Sequence, residues 1–219
     1  MKTPGRVAGL VLAAGAGRRM GTPKALIRDA AGVAWVVRTA RLLAEAGCTP
    51  VVVVVGASAD RARAELVGEP VDVVEAADWS EGMGASLRTG LTYLQSHSLP
   101  PAAASGSTPP SARSASGAGL SAEAAVVLPV DVPGLTVAAL ERVMSGAGAD
   151  VLVRATYDGA PGHPVVIGRA HWDGVIASAR GDEGARAYLR THDAALVECA
   201  DVADGADVDT ADGLPPGHH

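Results

Sequence analysis

Two short apolar runs constrain the fold of this chain more than any other feature. Val7–Ala13 is followed by Gly15 and Gly17, and Val51–Val55 consists of five consecutive valines. Neither run alternates polar with apolar residues, which is typical of strands buried on both faces of a parallel sheet. Both runs are far shorter than the roughly 18 apolar residues needed to cross a bilayer. The sequence therefore predicts a buried sheet and argues against a transmembrane protein.

Helical patterns alternate with such runs along the chain. Residues 34–46 carry apolar side chains at helical spacing and stop at Gly47. The predicted strands are Val7–Ala13, Val51–Val55, 71–75, 126–130, 150–155, 165–167 and Ala195–Glu198, and the predicted helices are 34–46, 60–67, 83–95, Val137–Met144, 172–179 and 183–190. This alternation predicts an α/β fold, a three-layer α/β/α arrangement with a mostly parallel, mixed sheet. Strand 165–167 is expected to be antiparallel, because the turn at 157–159 leaves no room for a crossover helix.

The length of 219 residues suits one domain, which we expect to span residues 1–219. Residues 96–122 are rich in Ser, Pro, Ala and Gly and contain almost no large apolar side chain, so we predict a disordered loop there.

Charge and cysteine content restrict the setting in which the protein works. The net charge is −6 with no run of like charges, which argues against binding to nucleic acid or to a membrane surface. Cys48 and Cys199 form neither a disulfide framework nor a zinc motif, and they fit the reduced cytoplasm. Basic residues before Val7–Ala13 would also fit a short secretion signal, but a buried strand that leads into a glycine loop fits better.

The glycine loop after the first strand has the composition of a phosphate-binding loop. It lies at the carboxyl end of a strand, where parallel sheets bind their ligands. Gly15 and Gly17 let backbone N–H groups close around phosphate oxygens, and Arg19 and Lys24 supply positive charge. A plain glycine-rich turn with solvated charges is the alternative interpretation.

Two common nucleotide motifs do not match this loop. The dinucleotide fingerprint requires glycine where Met20 stands, and the P-loop requires a G-K-[ST] sequence that does not occur. Arginine makes up 16 of the 18 basic residues, and the two lysines are Lys2 and Lys24. The lysine in the loop therefore suggests that a compact ammonium is needed at that position.

Carboxylates downstream are candidates for a metal site. Asp131 follows strand 126–130 and precedes Pro133, so its side chain is held at the same edge of the sheet. A hard Mg²⁺ ion that bridges nucleotide phosphates would bind there, although an isolated aspartate of this kind could equally cap a helix or a turn. Asp209 or Asp207 could supply a second carboxylate if the C-terminal segment folds back.

A series of motifs in this sequence resembles the MobA-related nucleotidyltransferases, and most closely their molybdenum cofactor cytidylyltransferase (MocA-like) group. The motifs are L-A-A-G-x-G-x-R-M-G-x-x-K at 12–24, D-W-S-E-G-M-G-A-S-L at 78–87, P-V-D-V-P at 129–133, G-H-P at 162–164, G-D-E-G-A-R at 181–186 and D-V-D-T at 207–210. The resemblance implies a Rossmann-like fold of the nucleotide-diphospho-sugar transferase type. It also implies transfer of CMP from CTP to molybdopterin with release of pyrophosphate.

The resemblance assigns roles to particular residues. The implied catalytic residues are Arg19, Lys24 and Asp131, and Mg²⁺ would be held by Asp131 and Asp209. The implied nucleotide-binding residues are Leu12, Ala13, Ala14, Gly15, Gly17, Arg19, Lys24, Gly82 and Ser86, and those that bind the acceptor are His163, Asp182 and Arg186.

Several of these assignments have a simpler structural alternative. Gly82 and Ser86 could merely form the entry to a helix, His163 is expected on a short loop and could be structural, and Asp182 could be a helix N-cap with Arg186 as a surface charge. Ala13-Ala14, where the related guanylyltransferases tend to have Ala-Gly-Gly, favours CTP over GTP. The alternatives are guanylyl transfer, transfer to another phosphorylated molecule such as a sugar phosphate, a non-catalytic carrier of the cofactor, and a dinucleotide-dependent oxidoreductase. A molybdoenzyme or its maturation chaperone is a possible protein partner.

Overall fold

The computed structural model describes residues 6–97 and 121–219. Within that part the strands are β1 (Val7–Ala13), β2 (Val51–Val55), β3 (Asp72–Glu75), β4 (Ala124–Pro129), β5 (Leu152–Tyr157), β6 (Ala160–Gly168) and β7 (Ala195–Glu198). The helices are α1 (Trp35–Glu45), α2 (Ala59–Glu65), α3 (Met83–His97), α4 (Val137–Met144), α5 (Trp172–Ser178) and α6 (Arg186–Thr191). The predicted order of strands and helices is confirmed.

The described strands form one sheet in the order β3-β2-β1-β4-β6-β5-β7. Strands β1 to β4 pair in parallel, β6 is antiparallel to both β4 and β5, and β7 is parallel to β5. The β5–β6 connection is a tight turn in which Asp158 and Gly159 both have positive φ, at 50° and 78°. Such a turn suits the twist of a hairpin, and it confirms the predicted antiparallel strand in a mostly parallel, mixed sheet.

Apolar side chains cover both faces of this sheet, which explains the unbroken apolar runs. One cluster packs helices α1, α2 and α4 against residues such as Val11 and Val53. A second cluster packs helices α3, α5 and α6 against residues such as Leu10 and Val52. The three-layer arrangement is therefore confirmed. No described helix combines the length and apolar character needed to cross a membrane.

Three predicted boundaries need correction. Strand β6 begins at Ala160 rather than at residue 165, so His163 lies within a strand and not on a short loop. Helix α6 begins at Arg186, because Gly181–Glu183 forms a separate 3-10 turn. Helix α3 continues through His97 and Ala122 is buried, so both ends of the predicted loop 96–122 are folded. The rest of that loop, 98–120, lies outside the described residues.

Candidate active site

A cleft of about 600 Å³ lies at the carboxyl ends of β1 and β4. This volume is in the range of small-molecule and cofactor sites. Its walls include thirteen of the residues singled out from the sequence, namely Leu12, Ala13, Ala14, Gly15, Gly17, Arg19, Lys24, Gly82, Ser86, Asp131, Asp182, Arg186 and Asp209. His163 is the exception, since it lines a smaller cavity next to the cleft.

The glycine loop presents free backbone donors to this cleft. Within the described residues, the N–H groups of Gly15, Ala16 and Gly17 donate to no protein acceptor. A Cβ atom on Gly15 would meet nothing within 4 Å, so the space beside that backbone is open. Unpaired backbone N–H groups in a loop that lines an open cleft are suited to binding an anion such as phosphate.

Gly17 brings the start and the end of the loop together. Its φ of +64° is in the left-handed region, and a Cβ atom there would stand 2.5 Å from the carbonyl carbon of Thr22 and 2.8 Å from Cα of Pro23. Only glycine allows this close approach. The chain then enters the short 3-10 turn Lys24–Leu26, anchored by buried Ala25. The approach therefore returns Lys24 to the edge of the sheet beside β1.

Lys24 joins two carboxylates that are distant in the sequence. Its Nζ donates hydrogen bonds to Oδ2 of Asp131 at 2.8 Å and to Oδ1 of Asp209 at 2.6 Å. Nη1 of Arg19 lies 3.8 Å from Oδ2 of Asp209. The side chains of Lys24 and Asp131 are only 17% and 21% exposed, whereas that of Asp209 is 50% exposed. The cluster thus forms one wall of the cleft and remains open to a ligand on the side of Asp209.

The electrostatics of the cluster favour the charged forms of Lys24 and Asp209. Partial burial alone would lower the pKa of Lys24, but the hydrogen bonds and negative charges of Asp131 and Asp209 outweigh it and raise the pKa. The hydrogen bond and positive charge of Lys24 lower the pKa of Asp209. Lys24 and Asp209 therefore stabilise each other's charged forms.

The C-terminal segment positions Asp209. Val208 is buried in a small cluster with Met20, Ile27 and Trp35, and its N–H donates to the carbonyl of Asp131 at 2.9 Å. These contacts bring the next residue, Asp209, to Lys24. Asp207 lines the cleft but forms no salt bridge within the described part of the chain.

The last two residues also pack against the body of the protein. Nε1 of Trp35 donates a hydrogen bond to Nδ1 of His218 at 3.0 Å. The backbones of Arg28 and His219 exchange two hydrogen bonds, of 2.8 and 3.0 Å. The sequence offered no role for His218 or His219. In the fold they fasten the segment that carries Asp209.

The opposite wall is built where α3 meets the 3-10 turn Gly181–Glu183. A Cβ atom on Gly82 would lie 2.5 Å from Oδ1 of Asp182 and 2.7 Å from the carbonyl carbon of Gly181. Gly82 therefore allows the turn to lie against the start of the helix. Ser86, one turn into α3, is 4% exposed and lines the base of the cleft. In the structure the side chain of Asp182 caps no helix, since α6 begins after Ala185 with no side-chain cap.

A cavity of about 30 Å³ adjoins the cleft and contains His163. The two spaces share Leu12, Met83 and Arg186 in their walls. Nδ1 of His163 is buried and has no hydrogen-bond partner among the described residues. Burial, reinforced by the nearby charge of Arg154, lowers the pKa of His163 to about 4. The imidazole is therefore neutral near pH 7 and leaves a buried acceptor atom unsatisfied.

Arg154 is a residue of this region that the motifs did not identify. It lines the same cavity, and its Nε donates to the carbonyl of Gly162 at 3.1 Å. Burial, followed by the charges of Arg186 and Arg190, lowers its pKa. None of these three arginines forms a salt bridge within residues 6–97 and 121–219. A lone arginine in the otherwise largely apolar strand β5 was the available signal in the sequence.

Comparison with known proteins identifies the family. Residues 9–196 match the family described as the MobA-like NTP transferase domain. The chain belongs to this family. Membership of the MobA-like NTP transferase family confirms the broad relationship predicted from the motifs. It also confirms that the protein is a nucleotidyltransferase enzyme.

Individual relatives cover nearly the whole chain. Nicotine blue oxidoreductase from Paenarthrobacter nicotinovorans is 32% identical over an alignment of 218 residues, and the match covers 94% of this chain and 93% of that protein. The crystal structure of Rv0371c from Mycobacterium tuberculosis H37Rv has 25% identity and a TM-score of 0.71, with 96% of each chain covered. Its complex with manganese has 24% identity and a TM-score of 0.68, with 95% of each chain covered. These similarities confirm the fold of this MobA-like NTP transferase.

Proposed function

We propose that this protein transfers CMP from CTP to molybdopterin and releases pyrophosphate. The observation that carries the proposal is Lys24 held between Asp131 and Asp209, in the same cleft as the free N–H groups of the glycine loop. Binding of a triphosphate requires hydrogen-bond donors for its phosphate oxygens and carboxylate ligands for the cation that accompanies it. The family supports a nucleoside triphosphate as substrate, while the choice of CTP and of molybdopterin rests on the sequence motifs.

The chain's own groups would bind and orient the phosphates. The N–H groups from Ala14 to Gly17 and the guanidinium of Arg19 would hold the β- and γ-phosphates, and Lys24 would bind the α-phosphate as negative charge develops there. The terminal phosphate of the acceptor would attack the α-phosphorus in line, and pyrophosphate would leave from the opposite side. The acceptor phosphate is already largely ionised at neutral pH. No general base is therefore needed.

Asp131 and Asp209 are suited to hold a divalent cation. Both carboxylates contact one ammonium in this structure, so both face the same point. No group of three or more His, Cys, Asp or Glu side chains suited to a metal occurs among the described residues. Phosphate oxygens and water would therefore complete the coordination, as is usual for Mg²⁺. When bound, Mg²⁺ would neutralise charge on the α- and β-phosphates, and manganese in the Rv0371c complex supports a divalent cation of this kind.

The acceptor would bind on the side of α6. Asp182 and Arg186 face the cleft, and His163 and Arg154 lie behind them. The arginines would attract an anionic acceptor, while Gly82 and Ser86 would border the nucleotide base. We extend the proposal to one nucleotidyltransferase domain over residues 1–219 that works in the cytoplasm and delivers its product to a molybdoenzyme or a maturation chaperone.

Pyrophosphate release tests this proposal directly. CTP, GTP, ATP and UTP are each supplied with Mg²⁺, with and without molybdenum cofactor as acceptor. We expect turnover only with CTP and acceptor together, and its loss in Asp131→Asn. A preference for GTP would indicate guanylyl transfer instead. Turnover with a sugar phosphate in place of molybdenum cofactor would identify the sugar phosphate as the acceptor. No turnover with any pair would refute the proposed reaction.

The similarity to nicotine blue oxidoreductase supports a second candidate, an oxidoreductase activity. The loop lacks the dinucleotide fingerprint at Met20, so a nicotinamide cofactor would have to bind by other contacts. Oxidation of NADH and NADPH in the presence of a quinonoid dye measures this activity. If the protein is an oxidoreductase, Asp131→Asn should still oxidise NADH or NADPH. If it is a nucleotidyltransferase, the wild-type protein should oxidise neither.

A further inference from the structure

Lys24 occupies the position between Asp131 and Asp209 that a divalent cation bridging their two nearest oxygens would take. Its Nζ is 2.8 Å from Oδ2 of Asp131 and 2.6 Å from Oδ1 of Asp209. An Mg²⁺ ion held by the same oxygens would stand about 2.1 Å from each of them. The ammonium and the ion therefore cannot share this position. Binding of the cation between these two oxygens requires Lys24 to move.

We propose that Lys24 is a placeholder for the divalent cation. In the free protein its ammonium fills the position between Asp131 and Asp209, and it leaves for the nucleotide phosphates when the cation binds. The metal and the nucleotide consequently bind with positive cooperativity. This inference rests on the proposed function, because it takes Asp131 and Asp209 as the metal ligands.

The charges of the cluster give the physical reason for cooperativity. Arg19 and Lys24 carry two positive charges, which balance those of Asp131 and Asp209. A divalent cation added alone leaves the site with excess positive charge and repels the displaced ammonium. A triphosphate supplies new partners for both cations. The carboxylates therefore bind the metal weakly until phosphates are present.

The displaced ammonium has a place to go. The free N–H groups of Gly15, Ala16 and Gly17 line the same cleft as Lys24, so bound phosphates would lie beside it. The lysine side chain is a flexible four-carbon stem with a compact charge, which can turn from one anion to another. The planar fork of arginine is less suited to such a change of partner. The single lysine in this arginine-rich loop has this property.

Metal binding without turnover tests the placeholder role. Binding of Mn²⁺ alone, and of Mn²⁺ with α,β-methylene-CTP, is measured by electron paramagnetic resonance for the wild type, Lys24→Met and Arg18→Met. Arg18 is the matched control, because it is an exposed cation of the same cleft and forms no salt bridge to either carboxylate in the described residues.

In the wild type we expect the nucleotide to tighten Mn²⁺ binding by roughly 5- to 150-fold, the usual range of coupling between two sites. Lys24→Met should bind Mn²⁺ alone at least about tenfold more tightly than the wild type, with most of the coupling lost. Arg18→Met should retain the wild-type pattern. Equal affinity of Lys24→Met and the wild type for Mn²⁺ alone would overturn the placeholder role. If no protein bound Mn²⁺ even with nucleotide, the proposed metal site itself would be wrong.

A second measurement needs no substitution in the protein that is tested. The chain contains two lysines, Lys2 and Lys24, so ¹⁵N-lysine labelling gives two side-chain signals, and the Lys24→Met spectrum assigns them. We expect the Lys24 Nζ resonance to shift when Mg²⁺ and α,β-methylene-CTP are added together, and to change little with the same concentration of Mg²⁺ alone. A Lys24 resonance that stays unchanged at saturation with both ligands would overturn the inference.

Discussion

Three glycines in the loop allow the contribution of Gly17 to be measured separately from the general cost of a left-handed residue. Gly17 combines a φ of +64° with backbone atoms that a Cβ atom would overlap. Gly21 has a similar φ of +77° but open space around it, and Gly15 has open space without a left-handed φ. Gly17→Ala therefore tests backbone strain together with steric overlap, Gly21→Ala tests backbone strain alone, and Gly15→Ala tests neither.

The structure gives a magnitude for each variant. A left-handed conformation costs a residue with a side chain roughly 1–2 kcal/mol, so Gly21→Ala should lower the free energy of unfolding by about that amount. Overlap with packed neighbours adds typically about 1–3 kcal/mol. Gly17→Ala should therefore lower the free energy of unfolding by about 3 kcal/mol, while Gly15→Ala should stay within about 0.5 kcal/mol of the wild type.

Urea unfolding followed by circular dichroism measures these differences. A cost for Gly17→Ala no larger than that for Gly21→Ala would refute the close approach of Gly17 to Thr22. The same variants probe the site, because Lys24 follows Thr22 by two residues. A displacement of about 1 Å in a positioning group can lower the rate about a hundredfold. The kcat/KM for pyrophosphate release should therefore fall much further in Gly17→Ala than in Gly21→Ala.

Three further predictions concern other parts of the site. Asp209→Asn should lower kcat/KM for pyrophosphate release about a hundredfold, because the divalent cation loses a charged ligand, whereas Asp207→Asn should stay within about threefold. The imidazole of His163 should titrate near pH 4 by NMR. In the unfolded chain it takes up this proton near pH 6.5, so the free energy of unfolding of the wild type should decrease as the pH falls from 6.5 to 4. The decrease should be smaller in His163→Gln. A midpoint near 6.5 would contradict the burial of this ring. Removal of residues 215–219 deletes the hydrogen bond from Trp35, so it should alter tryptophan fluorescence and lower the free energy of unfolding by about 1–3 kcal/mol. An unchanged spectrum would show that the tail is not docked.

The start of β6 shows why one boundary could not be predicted. Gly162 and Pro164 both disfavour a strand interior, because glycine has no side chain to pack and proline has no N–H to donate. In the fold the turn at Asp158 and Gly159 sets the hairpin register, so that Tyr157 pairs with Ala160 and Thr156 with Pro161. The hairpin therefore extends the strand past the local signals, and His163 becomes part of it.

Arg154 could not be assigned from the sequence for a related reason. Its place in a largely apolar strand is a local signal, but that signal does not say which other residues Arg154 meets. It meets His163 and Arg186 only because β5 pairs with β6 and α6 packs beside them. Its position thus depends on contacts between three segments of the chain.

The sequence by itself determined the elements and the chemistry of the loop. An unbroken apolar run specifies a strand that is buried on both faces, and it can be recognised from neighbouring residues alone. Val7–Ala13 and Val51–Val55 were therefore predictable to the residue. The glycines and Lys24 were equally readable, because the backbone conformation needed to surround a phosphate depends on neighbouring residues.

Only the tertiary structure decided how the loop is joined to its carboxylates. Lys24 is 107 residues from Asp131 and 185 residues from Asp209 in the sequence. Parallel pairing of β1 with β4 brings the first carboxylate to the loop. Burial of Val208 against the cluster that contains Trp35 brings the second. Such contacts form because apolar surface is removed from water, and this driving force does not depend on how far apart the residues lie in the sequence. Local sequence chemistry left Asp207 and Asp209 open, and the family motif implied Asp209; in the fold it is Asp209 that contacts Lys24.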